Sequence, residues 1–264
     1  MRRFQRFFNL IPLVLLGFVA MPVAGASAGQ VLVAAASDLR FALEEIVTDF
    51  SADTGNVVTP VFGSSGNFAR QIRQGAPFQM YMSADESYVF DLQSAGVTRD
   101  AGRVYALGRI VLVAPRGSTL GVDPAMAGLA RLVRDGQLRR FAIANPDHAP
   151  YGARAREALQ YAGLWTAIKP DLVLGENVGQ ATQFALSGST QGGIVAYSLV
   201  LSPTLGTGIT YALIPADWHT PLRQRMVLTT SAGPVAEAFY AYLQTPKALA
   251  VLKRFGFVAP ENGS

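Results

Sequence analysis

Between residues 31 and 255 the chain alternates short apolar runs with amphipathic helical stretches. No other feature limits the fold more. Val31–Ala36 (VLVAAA), Val57–Phe62, Met80–Ser83, Ile110–Ala114 (IVLVA), Phe141–Ala144, Leu172–Leu174, Gly193–Ala196 (GIVA) and Arg225–Thr229 (RMVLT) read as strands. Between them, Asp38–Phe50, Gly66–Gln74, Ser87–Ser94, Gly152–Ala162 and Gly179–Ser187 carry helical spacing. In the first of these Leu39, Leu43, Ile46 and Phe50 share one face. Gly75, Gly163 and Gly188 stand where a left-handed residue stops a helix, and Pro234 and Pro246 open two C-terminal helices. Alternating strands and helices predict an α/β architecture with mainly parallel sheets. Sheets of that kind hold ligands beyond the carboxyl ends of their strands.

Four junctions at such strand ends share one design. They are Ala36-Ser37-Asp38, Ser64-Ser65-Gly66, Pro150-Tyr151-Gly152 and Asn177-Val178-Gly179. Each passes through small residues into a helix start, where the first N–H groups lack an intrahelical acceptor and the helix dipole is positive. Several such ends meeting at one cleft can hold an anion without lysine or arginine. Ser37 and Ser65 add hydroxyl donors, and Tyr151 a phenol or a wall. At about 1.5–3 kcal/mol for each charge-assisted hydrogen bond, roughly six or seven donors overcome the desolvation of a dianion. A serine before a helix also serves as a plain N-cap, so one junction alone signifies little. Four of them in one α/β chain favour oxyanion capture over catalysis.

Residues 1–28 read as a secretory signal peptide. Arg2, Arg3 and Arg6 precede the apolar Leu10–Val19, and Ala24-Gly25-Ala26 or Ala26-Ser27-Ala28 fits a cleavage site. The whole chain has 22 basic and 18 acidic side chains. Without the three leader arginines the balance is 19 to 18, which gives no reason to expect nucleic acid or a membrane surface as partner. There is no cysteine, hence no disulfide and no thiol at the cleavage site to carry a lipid. The expectation is a freely soluble periplasmic monomer.

The segments AAASD (Ala34–Asp38), FGSSGNFARQI (Phe62–Ile72), Gly75–Glu86, ANPDHAPYG (Ala144–Gly152), ENVGQA (Glu176–Ala181), GIVA and the closing FGF (Phe255–Phe257) together resemble the periplasmic molybdate-binding proteins that feed ABC importers. The resemblance covers nearly all of the mature chain. It implies a two-lobe type II periplasmic-binding-protein fold with the ligand cleft between lobes joined by crossover strands. Residues 29–110 plus 227–264 would form lobe one and 111–226 lobe two. It also implies ligand contacts at Ser37, the backbone of Asp38, Ser65, Tyr151 and the Val178 amide. The cargo would be molybdate, with tungstate expected alongside it because size and charge are nearly the same. No cofactor is implied, and the partner is a membrane permease. Three positions depart from the family pattern. Ala196 stands where some members have tyrosine, with Tyr197 beside it facing the other way. Gln79 replaces a usual acid. Asp38 replaces a residue that is commonly neutral, so its side chain is expected to turn from a bound dianion.

The competing readings are weaker. A carrier of sulfate or phosphate is the nearest. A periplasmic serine hydrolase built on Ser65 and His148 lacks the G-x-S-x-G context. His148 and His219, the only two histidines, have no metal-binding spacing.

Overall fold

In the computed structural model, residues 31–203 and 208–260 are described, so the expected signal peptide lies outside the described residues. The elements run β1 (Val31–Ala36), α1 (Arg40–Thr54), β2 (Val58–Gly63), α2 (Ser65–Arg73), β3 (Phe78–Ser83), α3 (Glu86–Ser94), β4 (Arg103–Gly108) and β5 (Ile110–Pro115). Then come α4 (Ala127–Arg134), β6 (Phe141–Ala144), α5 (Pro150–Tyr161), α6 (Trp165–Ile168), β7 (Leu172–Gly175), α7 (Val178–Leu186), β8 (Gly193–Ala196) and α8 (Tyr197–Val200). The chain continues with β9 (Ile209–Leu213), β10 (Leu222–Leu228), α9 (Pro234–Tyr242) and α10 (Pro246–Arg254).

Two five-stranded sheets result, ordered β2-β1-β3-β10-β4 and β7-β6-β8-β5-β9. In the first, β1 pairs parallel with β2 and β3, while β10 runs antiparallel between β3 and β4. The second repeats the plan. There β6 is parallel to β7 and β8, and β5 is antiparallel to β8 and β9. The chain enters the second sheet at Arg109, between β4 and β5, and returns between β9 and β10. The strand expected at Arg225–Thr229 is longer, Leu222–Leu228, and joins the first sheet along its whole length.

The apolar runs follow from burial on both faces. Val33 and Ala35 of β1 pack under Leu43, Ile46 and Phe50 of α1 and Phe239 of α9. Ala34 points to the opposite face, against Phe68, Ile72, Tyr81 and Val89. Ile110–Ala114, Phe141–Ala144 and Ile194–Ala196 form the core of the second lobe. Sequence pattern did not reveal β4, α4 or β9. β9 is a half-buried edge strand without a long apolar run, whereas β4 carries the largely buried apolar run Val104–Leu107, which pattern reading left unassigned. The outer flank of β4 is partly covered by Val258, whose N–H and C=O exchange hydrogen bonds with Leu107 at 3.0 and 2.8 Å. Among the described residues no helix is long and apolar enough to cross a membrane.

Candidate functional site

The carboxyl ends of five parallel strands meet at one small cavity. After β1 come Ser37 and Asp38, after β2 Ser64 and Ser65, and after β3 Ala84. From the other lobe, Tyr151 follows β6 and Val178 follows β7. All five residues expected at the site therefore line it, and no lysine or arginine does. The cavity volume is about 10 Å³, far below the several hundred Å³ usual for organic ligands.

Ser65 and Val178 are the first residues of α2 and α7, so their N–H groups have no acceptor within their own helices. The Ser65 hydroxyl accepts the Ala84 N–H at 3.0 Å, and its carbonyl accepts the Tyr81 hydroxyl at 2.8 Å. The Ser37 hydroxyl accepts the Gly179 N–H at 3.1 Å, a contact between lobes. Each serine oxygen is thus held by an incoming N–H while its own proton remains available to donate. Neither serine caps its own helix. Among the helices around the cavity, α7 is capped by the side chain of Asn177, which accepts the Gln180 N–H at 3.0 Å.

The Asp38 side chain, expected to turn from a bound dianion, is held by partners from both lobes. It is buried in the cavity wall. Its Oδ2 accepts the Tyr151 hydroxyl at 2.9 Å and the Gln224 amide at 2.6 Å, while its Oδ1 has no partner. Gln224 is fixed in turn, because its Oε1 accepts the Tyr105 hydroxyl at 2.6 Å. Burial pushes the Asp38 carboxyl up to about 6. Its hydrogen bonds from Gln224 and Tyr151, and then the N–H groups of Asp38 and Leu39, oppose that rise. Burial, followed by the charge of Asp38, holds Tyr105 and Tyr151 well above the ordinary phenol range. The Tyr151 phenol therefore spans the cleft to Asp38 rather than standing free. Gly108 makes room for this web, since a β-carbon there would lie 2.4 Å from the Tyr151 hydroxyl oxygen.

Further contacts close the lobes around the cavity. The Gly66 N–H donates to the His148 carbonyl at 3.0 Å, and Ser64 Oγ lies 3.0 Å from His148 Nδ1. A β-carbon at Gly66 would come within 2.7 Å of that same carbonyl. Ser198 Oγ donates to the Asp38 carbonyl at 2.8 Å. Arg154 of α5 reaches Asp85 beyond β3 at 2.5 Å.

Sequence reasoning missed Gln224, Tyr105, Ser64 and Ser198. Gln224 left a trace, because it occupies the inward register of β10 between the buried Leu222 and Met226. The Ser65–His148 pair of the hydrolase reading is not formed. His148 meets Ser64 instead, and its other nitrogen is 3.6 Å from Glu176, a largely exposed carboxylate. That long, solvated contact orients a base poorly. Tyr197 lies outside the cavity lining and packs against Tyr211. Gln79 is far from an acid's role: its side-chain oxygen accepts the Gly233 N–H at the start of α9.

Comparison with known proteins agrees with this architecture. The family model described as bacterial extracellular solute-binding protein matches residues 31–258. The molybdate-binding protein ModA of Rhodobacter capsulatus is 36% identical over 236 residues, covering 88% of this chain and 90% of that protein. ModA of Azotobacter vinelandii is 34% identical over 253 residues, covering 95% and 98%. The solved structure of the Azotobacter vinelandii periplasmic molybdate-binding protein superposes with a TM-score of 0.80 at 29% identity, over 88% of this chain and all of that one. With a matched segment that takes in both sheets and the cavity between them, the chain belongs to the bacterial extracellular solute-binding protein family.

Proposed function

We propose that the protein captures molybdate, and tungstate with it, outside the cytoplasm and delivers it to the permease of an ABC importer. The observation that carries this reading is the cavity itself. It is small, lies between two lobes, is walled by helix starts and serine hydroxyls, and has no cationic lining residue. Similarity to molybdate-binding proteins over most of the chain supports the choice of cargo. Ser37, Ser65, Tyr151, Val178 and the backbone of Asp38 form the contact set, with lobe one ending near residue 110 and resuming near the start of β10. Closure follows binding because only the closed form offers both lobes' donors to one guest. The protein acts as a monomer, freed of residues 1–28 and without a lipid anchor, and it catalyses no reaction.

Calorimetry of the mature protein with molybdate, tungstate, sulfate and phosphate tests this reading. Tight binding of the first two alone is the expected result. Preference for sulfate or phosphate would reassign the cargo, since rigid donors spaced for a larger tetrahedron grip a smaller one less well.

A further inference from the structure

The proposed cargo carries two negative charges, yet one of the residues lining the cavity, Asp38, bears a carboxyl group. Asp38 lines the space, is 1% exposed, and keeps Oδ1 without a hydrogen-bond partner. Its other oxygen is already engaged by Tyr151 and Gln224. An unpartnered carboxylate oxygen is an acceptor only. Oxygens of a tetrahedral dianion are acceptors as well, so the two repel unless a proton lies between them.

Resting on the oxyanion-carrier reading, we propose that Asp38 takes up one proton from solvent as the dianion binds, and that Oδ1 then donates it to a ligand oxygen. The former repulsion becomes an additional hydrogen bond, and capture of cargo becomes linked to pH. The phenols and amides around the carboxyl do not offer that proton in the neutral range. Tyr151 from α5 and Tyr105 from β4 face it, and Tyr81 of β3 stands next to Tyr105. All three phenols are held protonated by burial. Gln224 of β10 and Ser198 of α8 do not titrate. His148 of the cleft is hydrogen-bonded to Ser64, and its part is separated by its own variant.

The empty site already has a carboxyl that titrates near pH 6. A neighbouring dianion raises that value further. Affinity is therefore greatest below pH 6 and falls about tenfold per pH unit above it, until the complex itself loses the proton. Calorimetry of molybdate binding at pH 7.5, in two buffers of different ionisation enthalpy, measures the protons taken up. The expected result is close to one for the wild type and for His148→Gln. For Asp38→Asn it is close to zero, with an affinity that no longer varies between pH 5.5 and 8.5. Binding by the wild type without proton uptake would overturn the proposal. So would uptake that persists in Asp38→Asn or disappears in His148→Gln. If molybdate fails to bind the wild type at any pH, the cargo assignment fails. The same proton count is then read on sulfate, another dianion, and the absence of uptake there also counts against Asp38.

Discussion

Replacing Asp38 by asparagine should stabilise the empty protein at neutral pH. The substitution keeps an oxygen for Tyr151 and Gln224, puts an amide NH2 where the unpartnered Oδ1 stood, and removes the charge. Burial raises the folded-state pKa of this carboxyl from 3.8 to about 6. The folded protein therefore holds the proton over a range where the unfolded chain has released it. The carboxyl's contribution to stability is full below pH 3.8, declines as pH rises to 6, and stays low above that. A separation of about two pH units corresponds to about 3 kcal/mol. Asp38→Asn has no such loss, so it should exceed the wild type by about 3 kcal/mol at pH 7.5, and the gap should close as the pH approaches 4. Urea denaturation of both proteins at pH 7.5 and pH 4.5 measures the difference. Coincident midpoints at pH 7.5, or a gap that widens on acidification, would refute the reasoning.

Ser65→Ala removes a hydroxyl donor from the cavity and leaves the buried Ala84 N–H without its acceptor. Molybdate affinity should fall by about 1–3 kcal/mol in calorimetry, with a loss of stability of similar size in urea. Gly66→Ala places a methyl group against the His148 carbonyl and should weaken molybdate binding by about 1–3 kcal/mol. The contact is already made in the ligand-free structure, so the urea midpoint should fall as well. Phe50→Ala opens a hole where Phe50 meets Phe239 and Tyr242 edge-on at 5.0 and 5.3 Å, and should cost about 3–5 kcal/mol in urea while the isolated cavity geometry is spared.

Much of the fold was legible because the parallel strands are buried on both faces and stand out as apolar runs. Val31–Ala36, Phe141–Ala144 and Gly193–Ala196 have the bounds that pattern alone suggests. The edge strand β9 gave a weaker signal, since exposed positions interrupt it. Ser37, Ser65, Tyr151 and Val178 were legible because strand–small residue–helix junctions have a fixed direction and point toward the same sheet edge. The hydrogen-bond web behind them was not. Asp38, Tyr151 and Gln224 are separated by more than seventy positions from one another in the chain, and only the return of β10 to the first sheet unites them. The expectation that the Asp38 side chain turns from a bound dianion considered charge repulsion alone. It left out two neutral donors that hold one carboxylate oxygen inside.

The clasp between Val258 and Leu107 gives the residues after α10 a task unrelated to cargo. A chain trimmed ahead of Val258 would bare an N–H and a C=O on the rim of the first sheet, the kind of open border along which separate molecules add strand to strand. The tail thus acts as a guard against self-association, and shortening it would first be noticed as turbidity rather than as lost uptake.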